Sequence, residues 1–421
     1  MKHSSSLLSR CAQRGLTLIE LLVAMVIGLV VVLAVTSIVT LGESQKRSTT
    51  STNDMNQSGT YAAYAIDRLL RSAGSGFAQS GSARFKPAGA PELFGCRLSA
   101  ARNIGGAPTT ILPRATAFPA PFQNFLGGAG AAAAGNLRMA PLLIAKNQSA
   151  AGSDVLMVMG GNAAAGDAPR QIRSGVAGND NLRLDNTIGL VDADVGLVTQ
   201  AGTADCLIEQ VNAPDATARA ALVAAGNEIL PIGGKYLTAS GSTTSLATLA
   251  GSGSAYFIPL GNANASNMQF QLLGVGDNRT LFSYDLLRAA GSGTDVDAMQ
   301  AVADGVVALF AMYGVDTNDD RIVDAWVDPA AAGYTIADMQ TAAGAPDAVR
   351  RIVAARVAIV LRSSLYEKDA VTAAGNLVVF GDQAAGLQRT VTVNNADDVH
   401  YRYRVIDTII PLRNMMLLPT P

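Results

Sequence analysis

The sequence predicts an α+β chain in which one long N-terminal helix lies on an antiparallel β-sheet head with long Gly/Ala-rich loops. Three observations predict it. The first proline is Pro87, so nothing between Leu16 and Ala73 denies the backbone a single helix. An uncharged apolar run from Leu21 to Leu41 is followed by Met55, Gly59, Ala62, Ile66, Leu69 and Ala73, spaced four and three alternately as one helix face requires. Near the C-terminus, Arg356 to Arg362 and Tyr401 to Ile410 repeat apolar residues every second position, the period of a strand.

Taken in order, the apolar run is long enough to cross a bilayer about 30 Å thick. Glu43 to Asn56 is Ser/Thr/Asn-rich, weakly helical, and expected to bend or partly melt, and Gly74-Ser75-Gly76 is a plausible helix stop. From Phe77 to about Gly152, proline and glycine content and the Gly127 to Gly135 run read as loops. Strands are expected at Asp154 to Met159, Val195 to Thr199, Ala255 to Leu260, Met268 to Leu273 and Thr280 to Tyr284, with Thr238 to Ser254 as a surface loop or insertion. Met299, Val302, Val306, Phe310 and Tyr313 carry helical spacing through Asp297 to Tyr313, weakened by Gly305, and further helices are expected at Ile336 to Gln340 and Asp347 to Ala354.

At 421 residues, with 49% hydrophobic and 15% charged residues, the chain can bury a substantial core. A formal charge of −2 favours no polyanion, so a nucleic-acid surface covering the whole head is not expected. Catalytic constellations are thin. Beyond the N-terminal segment the one histidine is His400, beside Asp397 and Asp398, and a structural role suits it better than a metal centre. Neither a phosphate-cradling glycine loop nor a Gly-x-Ser-x-Gly elbow occurs in the right context, and no enzyme is expected. Arg356, Arg362, Arg402, Arg404 and Arg413 could give the closing strands a positive face, for which pairing with acids and edge protection are the simpler account.

The N-terminal stretch Arg14-Gly15-Leu16-Thr17-Leu18-Ile19-Glu20 admits a cleaved secretory signal, an ordinary anchor or a processed assembly signal. A secretory signal would have a shorter apolar core and a small-residue site after it, whereas Gly15 precedes the core. An ordinary anchor leaves a carboxylate inside the bilayer unexplained, a costly placement that marks a functional group. The stretch closely resembles the type IV prepilin signature, in which a basic leader ends in glycine and the mature chain reaches glutamate at its fifth position. The resemblance implies that a membrane-embedded peptidase cuts between Gly15 and Leu16 and usually methylates the new amine, although most members begin with phenylalanine. It also implies that Glu20 pairs with that amine on a neighbouring subunit during assembly.

The leader would then be residues 1–15, the helix residues 16–73 with a membrane segment of about 16–41, and the β-rich head residues 74–421. Losing Lys2, Arg10 and Arg14 takes 31 Lys+Arg to 28 against 33 Asp+Glu, a balance of −5. The basic flank stays cytoplasmic, so the head is expected in the periplasm. Cys11 leaves with the leader, and Cys96 and Cys206 remain as an even pair in an oxidising compartment, either a disulfide or two buried thiols.

Asp316, Asn318, Asp320 and Asp324 fall at positions 1, 3, 5 and 9 of an EF-hand-like loop, which would place oxygen ligands around one calcium. Arg321 stands where that loop has glycine and Val327 where it has its closing glutamate, so an acidic turn without metal is the alternative.

Four stretches resemble the PilW group of minor pilins: Arg68 to Gly74, Asp304-Gly305-Val306 leading into Tyr313 to Asp320, Val357 to Ser363, and Arg402 to Asn414. The resemblance implies a low-abundance subunit that primes type IV pilus assembly at or near the fibre tip. Its expected partners are other minor pilins, the major pilin, the prepilin peptidase, the inner-membrane assembly platform and a large tip adhesin. Two alternatives share the anchor: a secretion pseudopilin of the GspJ kind, and an exported adhesin or ligand-binding module.

Overall fold

A computed structural model describes residues 17–77, 94–104, 106–114, 116–126, 137–162, 169–174, 180–200, 203–223, 228–288, 296–339, 345–394 and 396–417. The chain forms two compact units, divided between Asn53 and Asp54. The helix α1, Leu18–Ser72, runs through the division.

In the first unit every residue of α1 from Leu18 to Lys46 is exposed. The segment Glu43 to Asn56 does not melt: helical residues run through it without a break. Neither glycine nor proline occurs between Gly42 and Gly59, and hydroxyl groups bond back along the helix instead of competing for its amides, as Thr52 Oγ1 does to the Ser48 carbonyl at 2.9 Å. Thr36 and Ser37 do the same in the apolar run, to the carbonyls of Val32 and Leu33 at 3.0 and 2.8 Å.

In the second unit α1 buries Met55, Gly59, Ala62, Ile66 and Leu70, and Ala73, just past its end, is buried as well. Leu70 takes the fully buried place expected for Leu69, which is half-buried at the edge of the same core. A Cβ on Gly59 would lie 2.1 Å from Leu361 Cδ1 and 2.9 Å from Ile406 Cδ1, so the missing side chain lets the helix settle onto two strands. The second-unit part of the helix is held at its middle and at its end. The Gly74 amide donates to the Met159 carbonyl at 2.8 Å, Ser58 Oγ to the Asp304 carbonyl at 2.6 Å, and Asn414 Nδ2 to the Ala73 carbonyl at 3.0 Å.

Three larger sheets occupy the described residues of this unit. The first has seven strands. Tyr236–Leu237, Arg97–Ile104, Asp205–Gln210, Asp194–Gln200, Ala255–Asn262 and Arg170–Gln171 lie side by side in that order, and Ala107–Leu112 also pairs with Arg97–Ile104. The second runs Met299–Asp304, Thr280–Asp285, Gln269–Val275, Val155–Gly160 and Leu142–Ala145. The third runs Ala325–Val327, Val306–Val315, Ile352–Arg362 and Tyr403–Pro411, all antiparallel. The five strands expected between Asp154 and Tyr284 are present, as are both closing strands. The region read as loops also holds Arg97–Ile104, Ala107–Leu112 and Leu142–Ala145, while Gly127 to Gly135 lies outside the described residues. The Thr238 to Ser254 piece contains a short helix, Leu246–Ser252, capped by Ser245 and burying Leu246, Leu249 and Ala250.

The helix expected over Asp297 to Tyr313 is instead two strands, Met299–Asp304 and Val306–Val315, separated by Gly305 at φ +79°. Leu309, Ala311, Tyr313 and Val315 face the main core, while Ala308, Phe310 and Met312 face a second cluster with Val379 and Phe380. A strand covered on both sides has no polar face, so any period can be picked out of it. Similarly, the helix expected to reach Ala354 stops at Arg351, because Ile352 already begins the strand that pairs with Val315.

Asp154 ties the second sheet to the third. Its Oδ1 accepts the Asn147 amide at 3.0 Å and Arg389 Nη2 at 2.8 Å, and its Oδ2 accepts the Ala311 amide at 2.9 Å. Burial pushes this carboxyl up, and Arg389 pulls it back down.

Candidate functional site: the helix start, the acidic turn and the closing strands

The expected cleavage pair, Gly15 and Leu16, lies outside the described residues. Thr17 and Glu20 are described, and they close the first turn of α1 upon each other. The Glu20 amide donates to Thr17 Oγ1 at 3.3 Å, while Glu20 Oε2 accepts the Thr17 amide at 3.1 Å and the Thr17 hydroxyl at 3.0 Å. This is a capping box, which satisfies two helix-start donors reciprocally. Sequence reasoning singled out Glu20 and missed Thr17, although Thr-x-x-Glu before an apolar run is the readable signal.

Beyond Glu20, α1 carries no charged residue until Glu43. Leu18, Met25, Leu29 and Ile38 are among its exposed large side chains, and the helix is long and apolar enough to cross a membrane. A stretch of that kind requires lipid or other apolar helices around it.

The acidic turn is held together by its own carboxylates. Asp316 accepts three amides of its own turn, from Asn318 at 3.1 Å, Asp319 at 2.7 Å and Arg321 at 2.6 Å. Asp324 Oδ2 accepts the Thr317 amide and hydroxyl at 2.8 and 2.7 Å, which hold its pKa below the usual carboxylate range. Asp320 Oδ1 accepts the Ile322 amide at 2.8 Å, and its Oδ2 accepts Asn318 Nδ2 at 3.2 Å. Asp319 and Arg321 adopt positive φ of 63° and 69° to present these amides. The oxygens therefore serve the turn, and no group of three or more His, Cys, Asp or Glu side chains placed to hold a metal gathers among the described residues. In this arrangement Asp316, Asp320 and Asp324 each accept hydrogen bonds from their own turn.

The arginines of the closing strands are paired. Arg356 donates to Asp407 at 2.6 and 3.0 Å and to Asp382 at 2.8 Å through two nitrogens, and lies over the Phe380 ring. Arg362 meets Asp398 at 3.1 Å and stacks over Tyr401. Arg402 holds Glu367 at 2.6 and 2.9 Å, and Arg404 reaches Asn56 on α1. Arg413 is exposed on the short helix Arg413–Met416. His400 is a structural residue: its ring stacks on Tyr366 at 4.6 Å, and its Nδ1 is 2.8 Å from the Glu367 carbonyl.

Cys96 and Cys206 form a disulfide with Cα atoms 5.8 Å apart. It joins the starts of Arg97–Ile104 and Asp205–Gln210, which run parallel. Beside it Arg97 grips Asp205 through two bonds of 2.7 and 2.8 Å, and Thr243 donates its amide to the same carboxylate at 2.6 Å.

The model of the Type IV Pilus-assembly protein W family, PilW, matches residues 274–414, which include the whole third sheet and the acidic turn. That of the Prokaryotic N-terminal methylation motif matches residues 10–41, the span of Gly15, Leu16, Glu20 and the apolar run. Neither a curated protein nor a solved structure matches the chain.

Proposed function

We propose that this chain, a PilW-like type IV pilin, is a minor pilin that helps prime pilus assembly and sits at or near the fibre tip. The observation that carries the reading is α1, which joins an exposed apolar segment bearing one carboxylate to a helix face buried in a large β-rich unit. The apolar half stays in the inner membrane until neighbouring helices replace the lipid around it. Glu20 then exchanges its bonds with Thr17 for the free amine of a neighbouring subunit, two charges neutralising each other away from water. The second unit, Asp54 onward, is bulky for a densely packed shaft, which favours a terminal place.

In this reading the prepilin peptidase cuts before Leu16 and methylates it, the basic leader remains cytoplasmic, and the head lies in the periplasm before display on the cell surface. Partners are the other minor pilins, the major pilin, the assembly platform and a tip adhesin. The role is structural.

Intact mass and N-terminal sequencing of the membrane-extracted protein, from cells with and without their prepilin peptidase, test the first step. A chain beginning at Leu16 only when the peptidase is present is the expected result; a chain beginning at Met1 in both overturns it. Immunogold labelling of sheared fibres tests the second step, with label at fibre ends expected and label along the shaft, or none, contrary to it.

A further inference from the structure

Arg102, Lys235 and Arg288 converge where the first sheet meets the end of the strand Thr280–Asp285. The backbone places them there. Arg102 stands opposite Tyr236 in an antiparallel register, and the Lys235 carbonyl accepts the Asn103 amide at 2.8 Å. Arg102 reaches over to donate from Nη1 to the Arg288 carbonyl, and Arg288 Nε lies 3.4 Å from Asp285 Oδ2. Three cations thus meet one carboxylate.

That carboxylate is already engaged. Asp285 Oδ1 accepts the Leu287 amide at 3.0 Å, and burial pushes the group up toward its neutral form. Lys235 has no carboxylate within ion-pair distance among the described residues; its ammonium sits 5.6 Å from the centroid of the Tyr236 ring. Arg102 Nε is buried without a partner. Burial first, and then Arg102 and Arg288, push the Lys235 ammonium below its usual range. Half-buried cations are ordinarily matched by a counter-charge, and here the described chain supplies too little of it.

We propose that Arg102, Lys235 and Arg288 form a binding site for an oxyanion, the phosphate or carboxylate group of a small ligand. The guanidinium nitrogens not already turned to the Arg288 carbonyl or to Asp285 offer charge-assisted donors, and the lysine adds a point charge, a set suited to a tetrahedral or planar anion.

The test uses the full chain in detergent, with thermal unfolding and titration calorimetry against inorganic phosphate and against acetate, each compared with chloride at equal ionic strength. A saturable rise in Tm with either anion is expected, and the two arms separate a phosphate site from a carboxylate site. Lys235→Gln should weaken the binding by about tenfold or more, the worth of one charge-assisted contact. Lys235→Arg should keep it, which separates lost charge from lost fold. No saturable response to either anion, or an equal response in wild type and Lys235→Gln, overturns the proposal.

Discussion

Thr17 and Glu20 hold each other across the first turn of α1, through three contacts between 3.0 and 3.3 Å. A glutamate bonded in this way is aligned with the helix start before any neighbouring amine takes the threonine's place. Thr17→Ala should therefore fray the helix start, at a cost of about 1 kcal/mol. Faster hydrogen exchange at the amides of residues 18–21 in micelles would register it. Glu20→Gln should leave peptidase cleavage intact while reducing incorporation into fibres, read by comparing cleaved protein in membranes with protein in the sheared fraction.

The disulfide closes a sequence separation of 110 residues. On the chain-entropy account, losing it should lower stability by about 4 to 5 kcal/mol. Urea unfolding of Cys96→Ser/Cys206→Ser beside the oxidised protein measures the difference; matching midpoints would show that Arg97–Asp205 alone holds the parallel pair.

Gly160 sits where α1 ends against the second sheet, and a Cβ there would lie 2.5 Å from the Ser72 carbonyl oxygen. Backbone must move to admit it, so Gly160→Ala should destabilise the protein by roughly 1–3 kcal/mol. Gly251, inside a short helix with open space around it, is the contrasting site. Gly251→Ala should be neutral or stabilising by up to about 1 kcal/mol. Thermal midpoints of the two variants, measured together, test both statements.

Glu209 is buried, with the Thr238 amide donating to its Oε1 at 3.1 Å and the Thr238 hydroxyl to the same oxygen. Burial pushes its pKa from the ordinary 4.5 up to about 7. The folded state therefore holds this proton more tightly than the unfolded state does. The stability it confers is full below about pH 4.5 and is lost as the pH rises through about 7, a fall of about 3 kcal/mol at most. Asp154 and Asp285 are pushed in the same direction, so the informative quantity is the difference between wild type and Glu209→Gln. Urea midpoints at acid and alkaline pH should converge on a weaker pH dependence in the variant.

Asp316 gathers three amides in a turn where it is nearly buried. Asp316→Ala should leave those donors unsatisfied and cost about 1–3 kcal/mol. Because the carboxylates already serve the turn, millimolar calcium should not raise the thermal midpoint of the wild-type protein. A saturable rise, abolished in Asp316→Ala, would mean that the turn reorganises around a metal.

The helix was legible because its signals are strong and local: a proline-free run, an apolar stretch and a face spaced by fours and threes. Leu69 was mistaken for Leu70 because the two flank the same stripe on either side, and spacing alone does not say which of two neighbouring leucines reaches deeper into the core. A strand with exposed positions along it, such as Tyr403–Pro411, showed its alternation. Val306–Val315 did not, since two cores cover its two faces and only Gly305 hinted at the break. The arginine pairs followed from spacing in kind but not in partner, as Asp382 lies on a loop far from Arg356 in sequence. The acidic turn displayed ligand spacing, yet the left-handed backbone at Asp319 and Arg321 turns amides inward, a feature that the order of acids does not encode.

The contact between Asn414 and Ala73 spans 341 positions, and its consequence lies in time as well as space. Synthesis delivers α1 first, and its buried stripe waits for Met159, Leu361 and Ile406 to be made before it is covered. Asn414 arrives 341 positions after Ala73. The head therefore closes over its own helix only after the third sheet has emerged, a topology dominated by distant contacts that folds slowly. A nascent chain arrested before Ile352 would already own its apolar anchor while lacking the surface that completes the fold.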